Sequence, residues 1–271
     1  MIKKNIISFI QIVIVFIMLL FVCCNTKKVT GSQPESGEVK ILFIGSSYFS
    51  YNNLPAMVNS LAYVNDKDVF IDYSIVNGTY LDFHVSNPET LDKIKSQDWD
   101  YVVLQGVGRQ MAYPDVYKKH ASYSALKKLK NKILANSEMT KMMYCLPWAF
   151  EDGMAWLDDW TDLFSDMQQK IYKNTLAYAN DIGFAIAPVG MAWYTILEEK
   201  NYPLHYLHMS DWNHPSVKGS YVMACVIYSS IFKESTEGEV YNTSFSEEEA
   251  LYFQEVASST VLDSLELWHL K

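Results

Sequence analysis

Five short, almost continuously apolar runs recur after residue 38, and they constrain the fold more than any other feature. They are "VKILFIG" (39–45), "VFIDYSIV" (69–76), "WDYVVLQ" (99–105), "TKMMYCLPW" (140–148) and "GFAIAPVG" (183–190). A strand with one face in water alternates apolar and polar residues. A strand covered on both faces does not, so these runs predict a buried parallel sheet.

The segments between them have helical character. Asn53 is placed to cap a helix over 53–65. The stretch 115–137 carries apolar residues at three-to-four spacing with lysines between them, and 162–183 ends in Gly183. Helices over 216–232 and 246–268 close the chain, the last opened by a capping box of Ser246 and Glu249. Alternating strands and helices predict a three-layer α/β/α sandwich around a five-stranded parallel sheet. The chain has 271 residues, 49% of them hydrophobic, enough for one large core. No long Gly/Ser/Pro block divides it after residue 40, so residues 39–271 read as a single domain.

The N-terminus is a different object. Lys3 and Lys4 precede an apolar run from Ile6 to Val22 interrupted only by Ser8 and Gln11, and Cys23 and Cys24 follow at once. A basic start and such a run predict an export signal. The pattern resembles a bacterial lipoprotein signal, which implies lipid attachment at Cys24, with Cys23 the alternative. The run also approaches the length of an uncleaved membrane anchor. Either way an exported, membrane-tethered protein of the periplasm or cell surface is expected. Residues 1–24 form the signal, and the polar stretch 25–38 is a flexible tether.

The net charge is −9, with acids and bases interspersed. That argues against a nucleic-acid partner, which needs a basic face. Cys145 and Cys225 sit in apolar runs and read as buried thiols, with a disulfide between them the alternative. No Cys/His spacing suggests a zinc site, and His205 and His208 lack a clear further ligand. His84, His120 and His269 read as structural or surface residues.

Chemistry concentrates elsewhere. In "ILFIGSSYFSYNNLP" (41–55) an apolar strand runs into Ser46 and Ser47. In sandwiches of this type ligands collect at the carboxyl ends of strands. A serine becomes a nucleophile when a base removes its proton, and the base is usually a histidine oriented by a carboxylate. "SDWNHPSVKG" places Asp211 three residues before His214, ahead of a helix. A loop turn of that span brings a carboxylate onto the imidazole. Taken singly, each of these residues is an ordinary turn residue.

Together these blocks resemble the SGNH (GDSL-type) hydrolases, serine esterases and lipases with a flavodoxin-like sandwich. The resemblance covers nearly all of residues 39–232. Gly45 and Ser47 fall on the family's glycine and nucleophilic serine, with Ser46 replacing the usual Asp or Asn between them. Asp211 and His214 match its Asp-x-x-His. In "VNGTYLDFH", Gly78 matches the glycine whose backbone N–H enters the oxyanion hole. The third block departs: "VVLQGVGRQ" has no Asn where the family has Gly-x-Asn, and register puts Gly108 there. Gln105 carries the same carboxamide and takes the oxyanion role, with the Gly108 backbone or Arg109 as competitors.

The resemblance implies a cofactor-free ester hydrolase working through an acyl-enzyme. Ser47 is the nucleophile, His214 the base and then acid, and Asp211 its orienter. Ser47, Gly78 and Gln105 supply the oxyanion hole. For an exported protein the expected substrate is O-acetylated carbohydrate, then lipid or another small acyl ester. The aromatics of "LPWAFEDGMAWLDDW" (146–160) are either a sugar platform or core. The rival reading is a ligand-binding protein on a hydrolase scaffold that has lost its activity. The sequence does not indicate an oligomeric state.

Overall fold

The computed structural model describes residues 37–112, 121–154, 163–199, 202–238 and 244–271. The expected signal, its Cys24, most of the tether, His120, Trp156 and Trp160 lie outside the described residues.

The five runs form five strands: β1 Val39–Gly45, β2 Val69–Ile75, β3 Tyr101–Gln105, β4 Lys141–Cys145 and β5 Ala185–Ala187. They pair in parallel in the order β2-β1-β3-β4-β5. Ile41, Leu42, Phe43 and Ile44 of β1 have no solvent exposure, as expected for a strand covered on both faces. The order reverses between β1 and β3, and a crevice at their carboxyl ends is the standard ligand position of this topology.

The fifth strand is shorter than its apolar run. Pro188 has no N–H for the ladder, so pairing stops at Ala187 and a helix begins at Val189. That helix was not legible, and neither were two helices after β2. In chain order the helices are α1 Ser47–Ser50, α2 Leu54–Val64, α3 Leu81–Ser86, α4 Pro88–Lys95 and α5 Gly108–Ala112. They continue with α6 Ala121–Asn136, α7 Phe164–Ile182, α8 Val189–Glu199, α9 Val217–Phe232 and α10 Glu247–Leu262. The expected caps are present only in part: Asn53 stands at the head of α2 but makes no side-chain cap hydrogen bond, and the Glu249 carboxylate accepts from Tyr206 and Lys218 instead of closing a capping box with Ser246. Gly183 ends α7 at φ +79°, and Ser246 Oγ accepts the Glu249 N–H at 3.2 Å.

Helices α2, α8, α9 and α10 pack together, as do α3, α4 and α6, while α7 packs against both α5 and α8. Helix α9 is buried almost all round, which matches its nearly unbroken apolar sequence. Cys145 and Cys225 are both buried free thiols.

Candidate active site

Strand β1 ends at Gly45, and Ser46 caps the one-turn helix α1, which Ser47 opens. A first-turn N–H has no intrahelical acceptor, so the Ser47 N–H is available in front of the strand end. Gly45 is closely packed: a Cβ there would stand 2.7 Å from Gln105 Oε1 and 2.9 Å from the Phe49 ring. Its carbonyl accepts the Nε2–H of buried His84 at 2.9 Å, and His84 Nδ1 meets the Thr90 hydroxyl at 2.8 Å. His84 is thus a structural residue beneath the serine turn.

The histidine arrives on a tight loop. His208 and Pro215 form an antiparallel bridge, and Met209 N–H donates to the His214 carbonyl at 2.7 Å. Gly219 of α9 lets this loop approach, because a Cβ there would lie 2.3 Å from the Leu207 carbonyl oxygen. At the loop tip, Asp211 Oδ1 accepts the backbone N–H groups of His214 (2.9 Å) and Asn213 (3.2 Å). Asp211 Oδ2 lies 2.5 Å from His214 Nδ1, and His214 Nε2 lies 2.8 Å from Ser47 Oγ. Burial pushes the Asp211 carboxyl up, but the bonds from His214 and Asn213 outweigh it and hold it below the ordinary value. With Nδ1–H donated to this carboxylate, Nε2 is left to accept from Ser47.

The opening motif also docks the histidine loop. The Tyr48 phenol donates to Asn213 Oδ1. The Tyr51 ring stacks on His214 with centroids 4.5 Å apart. Asn52, in the left-handed region at φ 55°, donates to the Pro215 carbonyl (3.2 Å) and to Ser220 Oγ (2.9 Å). Trp148 stacks between Tyr48 and Trp193, and its Nε1–H donates to the Asn213 carbonyl at 2.8 Å. Trp148 is therefore core and not an open sugar platform. Sequence reading missed Tyr48, Tyr51, Asn52 and Asn213. The one available signal was the density of aromatic and Asn residues directly after Ser47.

Gly78 follows β2 in a turn at φ +74°, exposed, with nothing within 4 Å of where a Cβ would stand. It needs glycine for its backbone and not for space. Ser50 Oγ donates to Asn77 Oδ1 at 2.8 Å, joining this turn to α1.

Gln105 departs from expectation. Its Oε1 accepts the Ser46 N–H at 2.8 Å and lies 3.3 Å from Ser46 Oγ. Its Nε2 donates to the Gly106 carbonyl at 2.8 Å, and the residue is 3% exposed. The carboxamide ties the end of β1 to the end of β3 through these bonds. Position 108 is closed to any side chain, because a Cβ would lie 2.3 Å from the Trp148 carbonyl oxygen. An Asn there would collide with the backbone, so the Asn that the sequence resemblance implies does not fit at this position. Arg109 is exposed beside it, its guanidinium 5.2 Å from the Tyr80 ring centre. It is the only arginine among 22 Lys and Arg residues.

His205 and His208 are occupied otherwise. His205 Nδ1 pairs with Glu151 at 2.6 Å, and His208 Nε2–H donates to the Ala149 carbonyl at 2.9 Å. Among the described residues, no group of three or more His, Cys, Asp or Glu side chains could hold a metal ion.

Solved structures share this architecture. A DUF4886 family protein from Bacteroides uniformis superposes with TM-score 0.68 at 18% identity, covering 83% of this chain and 95% of its own. A protein from Slackia heliotrinireducens assigned as an SGNH hydrolase gives 0.55 at 22% identity, covering 71% and 98%. An acetylxylan esterase from Geobacillus stearothermophilus gives 0.53 at 18% identity, covering 74% and 98%. The chain therefore has the SGNH-hydrolase fold. No protein-family model matches it, and no curated protein matches it in sequence.

Proposed function

We propose that this chain is a serine-dependent carboxylic ester hydrolase. The observation that carries the reading is the continuous hydrogen-bonded run Asp211–His214–Ser47, with links of 2.5 and 2.8 Å at the carboxyl edge of the sheet. His214 Nε2 takes the Ser47 proton as Oγ attacks the ester carbonyl carbon. The carbonyl electron pair moves onto oxygen, and the Ser47 and Gly78 N–H groups hold that charge. Collapse expels the alcohol, which takes the proton from His214 and leaves Ser47 acylated. Water, deprotonated by His214, then attacks the acyl carbon, and the acid departs as Ser47 regains its proton. Asp211 keeps the imidazole oriented and offsets its charge while it is protonated.

The favoured substrate is an O-acetylated carbohydrate, with lipid or another small acyl ester second. The name of the acetylxylan esterase of the same fold supports the first. Fluorophosphonate labelling tests the nucleophile. The parent chain should label, and Ser47→Ala should not. A screen of acetylated oligosaccharides against longer-chain esters tests the substrate.

The second reading is a carbohydrate- or ligand-binding protein that has lost catalysis. It is favoured by the closed position 108 and by the engagement of Gln105, which leave the family's side-chain donor absent. Binding of an acetylated oligosaccharide without hydrolysis or labelling would establish it.

The same reading has the protein exported and lipidated at Cys24. A labelled fatty acid should enter the parent and not Cys24→Ala. Continued labelling of the variant would move the site to Cys23, and an unlabelled parent would favour an uncleaved anchor.

A further inference from the structure

The sheet has a second edge. Strands β1, β3, β4 and β5 are parallel, so their amino ends lie together, opposite the serine and histidine loops. A cavity of about 480 Å³ opens there, lined by Lys130, Lys141, Lys233, Lys271, His269 and Tyr101 among others. Leu134, Met142 and Leu270 add apolar lining. No Asp or Glu lines it. In a chain of net charge −9, four ammonium groups around one cavity are a concentrated reversal of sign.

Two of the four lysines are engaged at helix ends. Lys130 donates to the Ile182 carbonyl at the end of α7. Lys233, the left-handed residue that ends α9, donates to the Ser230 and Ile231 carbonyls at 2.8 and 3.1 Å. A helix carboxyl end carries about half a negative charge, so two such ends offset roughly one lysine. Lys141 and Lys271 have no such role. Lys141 lies over the Tyr101 ring, 5.6 Å from its centre, and Lys271 reaches Glu266 at 3.2 Å across an exposed surface. An exposed pair of that kind is weak. The lysines also oppose one another: burial, and then the Lys141 charge, bring the Lys233 ammonium down to about 8. A bound anion would relieve both.

We propose that this cavity is a binding site for a phosphate-type anion, held by Lys141, Lys233, Lys130 and Lys271. The donor type fits: lysines act on phosphate as mobile point charges, whereas planar carboxylates favour an arginine fork. The apolar lining suits the carbon part of a phosphoester. The chain enters the domain on this same edge, at Val39. A lipid headgroup and a dissolved phosphate therefore share the chemistry required, and the test separates them.

Acetylation of individual lysines by an amine-reactive reagent, read by mass spectrometry on the full chain, is the measurement. Lys95 and Lys128, exposed and outside the cavity, serve as internal controls. With inorganic phosphate, Lys141 and Lys233 should be acetylated at least threefold more slowly than with chloride at equal ionic strength, and the controls should not change. Protection by phosphatidylglycerol vesicles but not by free phosphate or phosphatidylcholine vesicles would identify the headgroup as the source. A Lys141→Gln/Lys271→Gln double variant should lose at least tenfold in affinity for whichever of the two protects, by calorimetry for phosphate or by co-sedimentation for phosphatidylglycerol vesicles, and keep its melting temperature without either. Equal acetylation in all arms, or that affinity unchanged in the double variant, would overturn the proposal. None of these readouts depends on ester hydrolysis, so the site stands or falls apart from the function proposed above.

Discussion

The phenol of Tyr48, the residue after Ser47, donates a hydrogen bond to Asn213 Oδ1, the residue before His214. One contact thus links the immediate neighbours of the two groups that exchange a proton in the proposed mechanism. Burial and the nearby Asp211 charge both push the Tyr48 phenol up, so it remains a donor at any working pH. Its ring is clamped against Trp148, with centroids 4.5 Å apart.

Tyr48→Phe keeps that stack and removes the bond. It should lower stability by about 1 kcal/mol, the usual scale for one internal hydrogen bond. It should lower kcat by about tenfold, or ~1.4 kcal/mol in the barrier, with little change in KM. Melting curves and steady-state kinetics check both. Unchanged kcat would mean that Tyr51 and Asn52 hold the loop without it.

Gly78→Ala separates backbone from space. Nothing lies within 4 Å of the added carbon, so no clash is expected. The φ of +74° should still cost about 1–2 kcal/mol in an L-residue. Relaxing that strain re-aims the N–H, and kcat should fall by about tenfold or more. Gly78→Asn tolerates the left-handed region better and should recover most of the loss. Equal kcat in parent and both variants would remove Gly78 from the oxyanion hole.

The sheet was legible because buried strands leave a continuous apolar signature, as "ILFI" of β1 does. Ser47, Asp211 and His214 were legible because their neighbours form motifs. Helices α3 and α4 carry no long apolar stripe, being six and eight residues, and Asn87 between them caps α4, its Oδ1 accepting the Thr90 N–H at 2.9 Å. The first residues of α8, Val189 and Gly190, were absorbed into the apolar run 183–190. The bond from Tyr48 to Asn213 spans 165 positions, and the cavity lysines lie from 130 to 271. No local pattern encodes such encounters, since only the tertiary fold creates them.

Two buried histidines should make the protein acid-sensitive well above the carboxylate range. Burial lowers the pKa of both His84 and His208 from the ordinary 6.5. The unfolded chain therefore binds more protons than the folded one between each lowered value and 6.5. Stability rises with pH across that window, falls as pH drops below 6.5, and levels once the folded form also protonates. Each group contributes a slope of at most about 1.4 kcal/mol per pH unit. Denaturant melts from pH 7.5 to 5.5 should show the decline, and His84→Gln should flatten it by up to one proton. A parent curve that is level across this range would refute the assignment of neutral, buried imidazoles.

Whether a third oxyanion donor serves the proposed mechanism is decided by comparing Gln105 with Arg109. Gln105 holds Ser46 through its carboxamide oxygen and Gly106 through its nitrogen. Gln105→Ala would leave the buried Ser46 N–H without its acceptor, at about 1–3 kcal/mol. The expected result is a lower melting temperature, with turnover per folded molecule reduced by less than tenfold. Arg109 sits one residue beyond the closed position 108, on the exposed rim, with its guanidinium against Tyr80. If it meets the developing charge, Arg109→Gln should lower kcat by about a hundredfold and leave stability nearly unchanged. Arg109→Lys would restore the charge without the planar fork and should recover only part of the rate. The two variants thus move opposite observables. A large loss of turnover in Gln105→Ala at parental stability would return the donor role to the carboxamide. Unchanged turnover in both would leave the Ser47 and Gly78 N–H groups as the whole of the oxyanion hole.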